Sequence, residues 1–305
     1  MQSNRVSFLR GKRMRATLLN GAAIPLVGDS SVVTTKGFVT LTMTANTEEG
    51  EAINVVNAGG ESCITEAGTP TWTGVGVEAE FCDVDFALFE ILTGQEVVLN
   101  ADGVAIGITE SSDVDMSAVK FALELWMGAS TNAAPAAGSQ GFYGYVLLPH
   151  LGGGVIGDVT LQNGAITFTI SGMQTKNGSA WGAGPHKVEL VGGVPSVLST
   201  PMKNNDHRRI MITEVAPPEV YAGATPLLDS TDPAVTALTT TPTGLSVVIA
   251  PTPAGTDPMW YDFGDGEWDY TANGSYTHVY PAAGTYTLVG YRGSSRFSKS
   301  VTVTA

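Results

Sequence analysis

Pro-Met-Trp-Tyr-Asp-Phe-Gly-Asp-Gly-Glu-Trp-Asp-Tyr occupies residues 258–270, followed by Tyr-Thr-His-Val-Tyr-Pro at 276–281 and Gly-Thr-Tyr-Thr at 284–287. Trp260, Tyr261 and Phe263 mark an aromatic strand that runs into a turn at Gly264–Gly266. Asp and Gly suit that turn, because glycine accepts positive φ and an Asp carboxylate bonds nearby backbone N–H groups. Tyr276 to Tyr280 alternates as a strand does and stops at Pro281; Gly284 then begins another strand. The end of the chain therefore reads as a β-sandwich, with Trp260 as its core aromatic and His278 packed against it.

These elements resemble the polycystic-kidney-disease-type (PKD) immunoglobulin-like domain, with its Trp-Asp-Phe-Gly-Asp-Gly, His-x-Tyr and Gly-Thr-Tyr-x-Val segments. Tyr261 departs from the pattern, standing where that family usually has Asp or Asn. The resemblance covers roughly the last 80 residues. It implies an accessory domain and leaves the work of the first 220 residues open.

The chain has 305 residues, enough for two domains with separate cores. Only 14% of residues are charged, and 37 are glycine, a mixture suited to twisted sheets joined by many turns. No apolar run approaches the roughly 20 residues of a membrane helix. Ala16 to Val27 imitates a signal peptide after its basic lead, but Asn20-Gly21 and Pro25 interrupt it, so export by this route is not expected. Cys63 and Cys82 read as buried thiols made in a reducing cytoplasm, not as a disulfide framework.

Charge is distributed unevenly. The first 20 residues hold five basic side chains (Arg5, Arg10, Lys12, Arg13 and Arg15) and no acid, so residues 1–15 read as a basic arm. Residues 37–150 hold sixteen Asp and Glu against the single Lys120. A surface this acidic repels nucleic acid.

Strand alternation begins after Gly37, with Val39, Leu41 and Met43 on one face and Thr40, Thr42 and Thr44 on the other. Residues 46–70 read as a long polar loop with a short apolar piece, Ile53 to Val56; a loop of that length in a compact domain is usually functional. Val75, Val77, Ala79 and Phe81 share the inner face of the next strand. One helix is expected, capped by Asp83, carrying Phe86, Phe89, Ile91 and Leu92, and stopped by Gly94. Further strands follow at 97–99, 119–127, 142–148, 155–161, 165–170, 187–190 and from His207, closed by Pro217-Pro218. Tyr221 to Pro242 is Thr/Pro/Ala-rich and reads as a link. The domains are thus placed at 1–222 and 223–305.

Catalytic patterns are missing from the sequence. His150, His186, His207 and His278 are scattered, and neither His-Glu-x-x-His nor Cys-x-x-Cys occurs. Gly152–Gly154 lacks the Lys-Ser/Thr of a phosphate loop, and Gly74-Val-Gly76 lacks a third glycine. The pairs Asp83/Asp85 and Asp113/Asp115 read as a helix cap and a solvated strand face. Asp262, Asp265, Glu267 and Asp269 lack the calcium-loop spacing. No enzyme activity, cofactor or metal is expected.

Basic arm, β-domain with one short helix, long polar loop and terminal immunoglobulin-like addition follow an order that resembles the major tail protein of long-tailed bacteriophages. The residues carrying it are Asn4-Arg-Val-Ser, Glu48-Glu-Gly-Glu-Ala-Ile-Asn-Val, Cys82-Asp83 leading to Leu92-Thr-Gly94, Phe142–Leu148, and His207–Pro218. The resemblance implies a mainly β fold, a tail-tube domain whose sheets join edge to edge as rings, generally hexameric, stacked into a virion tail assembled in the host cytoplasm. DNA would pass through the lumen without specific binding. On that reading Arg5, Arg10, Lys12, Arg13 and Arg15, with the long loop, make inter-ring contacts. Glu78, Glu80, Asp113, Asp115 and Glu124 line the lumen. Trp268, Tyr270 and Tyr291 beside Arg292 and Arg296 suit weak contact with cell-surface glycans. The alternative is a secreted bacterial surface or polysaccharide-associated protein, since PKD-type domains often accompany those.

Overall fold

A computed structural model describes residues 7–129, 141–157, 166–228, 235–255, 257–271, 275–292 and 295–305. The fold is mainly β with one short helix. The first strands are β1 (Phe8–Leu18), β2 (Gly28–Thr35), β3 (Phe38–Glu48), β4 (Ile53–Val56), β5 (Ser62–Glu66) and β6 (Thr71–Phe81). Helix α1 (Phe86–Thr93) precedes β7 (Glu96–Leu99), β8 (Ala105–Thr109), β9 (Lys120–Ala129), β10 (Tyr143–Gly152) and β11 (Val155–Ile156). Then come β12 (Phe168–Gln174), β13 (Glu189–Val191), β14 (Val194–Ser196), β15 (Arg209–Thr213) and β16 (Thr225–Leu227). The terminal part holds β17 (Ala237–Thr243), β18 (Ser246–Thr252), β19 (Met259–Asp262) and β20 (Trp268–Thr271). It ends with β21 (Tyr276–Val279), β22 (Gly284–Arg292) and β23 (Ser295–Val303).

A six-stranded sheet, β15-β10-β9-β1-β2-β16, faces a four-stranded one, β11-β12-β6-β3. Met14, Ala16, Phe121, Leu123, Val146 and Leu148 of the first sheet meet Val75, Val77, Ala79, Phe81 and Ile170 of the second. Leu88, Phe89, Ile91 and Leu92 of α1 join the same core. The helix is capped by Asp85, whose Oδ1 accepts from the Ala87 and Leu88 N–H groups, and not by Asp83. Gly94 ends it at φ 71°, the left-handed conformation that glycine adopts freely.

The six-stranded sheet is covered on its other face as well. Ala122, Trp126, Tyr145 and Leu147 pack there against Trp181, Val188, Leu198 and Met202. That double cover explains why every residue from Phe121 to Trp126 is buried, although its sequence alternates only weakly.

Three expectations are corrected here. Residues 8–15 are not an arm: they belong to β1, paired with β9 along its length and with β2 from Met14 onward. The 46–70 loop contains a hairpin, β4–β5. The Tyr221–Pro242 stretch is not spacer throughout: β16 pairs with β2 in the first sheet, beyond the boundary placed at 222/223, β17 belongs to the second unit, and residues 229–234 lie outside the described ones.

That second unit is a seven-strand sandwich of β17-β18-β21 against β20-β19-β22-β23. Its core holds Leu238, Val247, Ile249, Met259, Tyr261, Phe263, Tyr280, Leu288, Val301 and Val303. Tyr261 points inward, which accounts for an aromatic there. Trp260 points the other way, stacked on Tyr291 at 4.0 Å between centroids. His278 packs on Phe263 instead of Trp260, at 3.7 Å, and hydrogen-bonds Asp265 at 2.7 Å.

The Gly264–Gly266 turn forms as expected: Asp262 Oδ1 accepts from the Gly264 N–H at 2.9 Å and Asp265 Oδ1 from the Glu267 N–H at 3.1 Å. Gly264 sits at φ 78°, and a Cβ there would lie 2.5 Å from the Thr287 carbonyl oxygen. Gly264→Ala therefore combines strain with a backbone clash. It should destabilise the terminal sandwich by about 1–3 kcal/mol, measured by denaturant unfolding followed through tryptophan fluorescence.

Candidate functional site

The outward face of the four-stranded sheet is the first candidate surface. Register places Thr40, Glu80 and Thr169 in one row, Thr42 and Glu78 in a second, and Thr44, Gly76 and Gln174 in a third. Each is exposed or half-buried. The strands of this sheet contain no lysine or arginine. A shallow depression of about 190 Å³, lined by Thr42, Thr44, Asn46, Glu78 and Gln174, lies on it. Its size falls below the roughly 300–1,000 Å³ of small-molecule sites. The face is a smooth, hydroxyl-rich, anionic wall.

At the side of this wall runs β3, which pairs with β6 and has no second strand partner among the described residues. Along this eleven-residue strand, alternate residues thus turn N–H and C=O groups away from β6 toward an open sheet edge, the template on which another strand adds.

The expected lumen residues divide. Glu78 and Glu80 stand on the wall. Asp113 and Asp115 are exposed but lie in the loop between β8 and β9, not on a strand face. Hydrogen bonds from Ser117 hold the Asp115 carboxyl below its usual range. Glu124 is buried, with 0% exposure, on the opposite side of the molecule's first sheet, so it lines nothing.

The expected inter-ring cations divide as well. Arg5 lies outside the described residues. Arg10 and Lys12 are exposed and Arg13 is half-buried. Arg15 is 9% exposed and makes a bidentate pair with Glu124, Nε to Oε2 at 2.6 Å and Nη2 to Oε1 at 2.7 Å. The two residues are cross-strand partners of β1 and β9, so the pleat itself brings them together.

Around that pair a buried polar group is completed. The Tyr145 hydroxyl donates to Glu124 Oε1 at 2.6 Å, and His186 Nε2 lies 3.1 Å from Thr17 Oγ1 and 3.7 Å from Glu124 Oε2. The Arg15 guanidinium sits 4.9 Å from the Trp126 ring centroid. Burial opposes the charge on Glu124, but Arg15 overturns it, and the carboxyl is held below its ordinary range. Burial and then Arg15 push His186 down to about 3, so its imidazole stays neutral. Tyr145 and His186 carried no sequence signal, since their partner lies far away in the chain.

Of the residues expected to meet glycans, the side chains of Tyr270 and Arg296 lie outside the described residues, and Trp268 and Tyr291 are half-buried. Trp268 and Tyr291 pack against Trp260, and Arg292 is 2% exposed with Nη1 donating to the Pro253 carbonyl at 3.1 Å. Both cysteines are free and exposed, not buried. Asp265, Glu267 and His278 bring ligand-type atoms within 4.8 Å of one another. Asp265 is engaged by His278 and by the turn, so this pair ties the β19–β20 turn to β21.

The two units are joined firmly. The Tyr221 hydroxyl donates to Asp262 Oδ2 at 2.9 Å and lies 3.0 Å from the Tyr291 hydroxyl, while its ring meets Trp260 edge-on. Two residues on, the Gly223 N–H donates to Asp85 Oδ2, so the helix cap also tethers the chain leaving the first unit.

No family model matches the chain, and no curated protein is similar to it by sequence. No helix among the described residues is long and apolar enough to cross a membrane.

Two predictions follow from the buried group. Glu124→Ala would strand a buried guanidinium and should destabilise the first unit by about 3–5 kcal/mol in denaturant unfolding. The pH dependence has a definite sign. His186 titrates near 3 when folded and near 6.5 when unfolded, so its stabilising effect is complete above pH 6.5 and declines as pH falls toward 3. Burial lowers His150 and His207 in the same direction. His186→Gln should therefore reduce the slope of unfolding free energy against pH between 6.5 and 4.5 by up to about one proton.

Proposed function

We propose that this chain is a structural subunit that assembles with copies of itself into stacked rings, forming the tail tube of a bacteriophage through which DNA passes. The observation carrying the proposal is the pairing of an eleven-residue open strand edge with an anionic wall whose strands contain no lysine or arginine. Edge-to-edge addition on β3 would extend the four-stranded sheet from copy to copy. A sheet extended with a constant turn closes into a barrel, with one face inside. Placing the Thr/Glu face inside gives a bore lined by Glu78 and Glu80 that repels phosphate along its length.

On this reading the chain performs no catalysis. The terminal sandwich, fixed by Tyr221 and Gly223 to the first unit, rides outside the bore. With Arg292 buried and Trp268 packed against Trp260, that sandwich serves as a stiff appendage more naturally than as a glycan platform.

Electron microscopy of the purified protein tests the proposal: hollow rings or tubes are expected, and a monomer at all concentrations would contradict it. A second measurement addresses the bore. Tubes of the native chain should retain no double-stranded DNA on a filter, whereas Glu78→Lys with Glu80→Lys should give tubes that retain it at low salt and release it as salt rises. Equal retention by both would remove the lumen assignment.

A further inference from the structure

The Gly264–Gly266 turn of the terminal sandwich carries more acid than a turn needs. Asp262, Asp265, Glu267 and Asp269 fall within eight residues, and no lysine or arginine stands between Arg209 and Arg292. Two of these carboxylates are spent on the fold. Asp262 accepts from the Gly264 N–H through Oδ1 and from the Tyr221 hydroxyl through Oδ2, and Asp269 accepts from the Tyr276 hydroxyl. Asp265 uses Oδ1 for the Glu267 N–H, which leaves Oδ2 to face elsewhere. The Glu267 side chain is exposed.

Asp265 Oδ2 meets an imidazole carried by the other sheet. His278 lies on β21 of the three-stranded sheet, whereas the turn joins β19 and β20 of the four-stranded one. His278 Nε2 is 2.7 Å from Asp265 Oδ2, and the two side chains are only 7% and 2% exposed. The ring is held in place: it stacks on Phe263 at 3.7 Å between centroids and meets Tyr280 edge-on at 4.6 Å. Glu267 completes the set from the solvent side, so that one ligand atom from each of the three lies within 4.8 Å of the other two.

A tetrahedral ion with bonds of roughly 2.0–2.2 Å holds its ligand atoms roughly 3.4 Å apart. The buried pair would open by less than about 1 Å to reach that spacing, and the exposed Glu267 would close the remainder by rotating its side chain. Sequence spacing hides the arrangement, because His278 stands 13 residues from Asp265 on a different sheet.

We propose that Asp265, Glu267 and His278 bind one divalent transition-metal ion of the Zn2+ class, with solvent in the fourth position. Imidazole with two carboxylates suits Zn2+, whereas Ca2+ and Mg2+ take six or more ligands, nearly all oxygen. The two carboxylates balance the charge of the ion, and His278 offers its Nε2 lone pair in the Nδ1–H tautomer. The ion would clip one sheet of the sandwich to the other, a device by which domains with small cores gain stability. The site belongs to the terminal sandwich and is independent of how the first unit assembles.

Zn2+ titration of the full chain tests it, after metal removal with a chelator and with Cys63→Ser and Cys82→Ser so that the exposed thiols do not compete. Calorimetry should show one ion bound per chain, and Zn2+ should raise the unfolding temperature of the terminal sandwich. Ca2+ at the same concentration should do neither. His278→Gln should abolish binding. Glu267→Gln changes an exposed side chain and leaves the Asp265–His278 hydrogen bond in place. It should weaken Zn2+ binding about tenfold or more without altering the unfolding temperature of the metal-free protein. A chain that binds no Zn2+, or a Glu267→Gln variant that binds it as tightly as the parent, overturns the site; Ca2+ bound as tightly as Zn2+ overturns the ion assigned to it.

Discussion

Arg15 and Glu124 are opposite charges removed from water between two central strands, and the first unit depends on their staying paired. Neither would be tolerated there alone, because an uncompensated buried charge is strongly destabilising. Together they use the remaining hydrogen-bonding capacity of Tyr145 and draw in His186, which arrives on the irregular segment after β12. That segment also brings Trp181, Val188, Leu198 and Met202 onto the outer face of the six-stranded sheet. The pair thus sets the register of β1 on β9 and marks where the covering layer must sit.

With the six-stranded sheet covered on both faces at its centre, the four-stranded sheet it packs against keeps an open outer face. Its chemistry is unlike that of the covered faces: Thr40, Thr42, Thr44, Glu78, Glu80 and Gln174 instead of Val, Leu and Trp. An isolated soluble domain could carry such a face on any sheet. The long unpaired edge of β3 beside it is harder to reconcile with a protein that stays single, since natural sheets shorten, charge or cover such edges. The two features agree if further strands are added there and the polar face turns toward an enclosed aqueous space.

Much of this was legible in the sequence where burial is one-sided. The alternation of Val75, Val77, Ala79 and Phe81 against Glu78 and Glu80 placed β6 and its two faces correctly, and Gly94 marked the end of the helix. β1 was not legible, because Arg10, Lys12, Arg13 and Arg15 give it the charge pattern of an arm and the partner of Arg15 lies 109 residues away. The apolar run Met14, Ala16, Leu18 was the available signal against an arm. The terminal sandwich was recognised from its turn and strands, but the phase of its aromatic strand was inverted. Trp260 and Tyr261 are both large and aromatic, so periodicity could not decide which faces the core. The junction favoured Trp260 outward, against Tyr221 and Tyr291.

Hydrogen exchange along Phe38–Glu48, followed as protein concentration rises, tests the role of the β3 edge most directly. In the single subunit, alternate amides of β3 point away from β6 and should exchange quickly. Their protection should rise together with the sedimentation coefficient, while amides bonded to β6 change little. Assemblies that form while the outward β3 amides continue to exchange as in the monomer would contradict the role assigned to this edge.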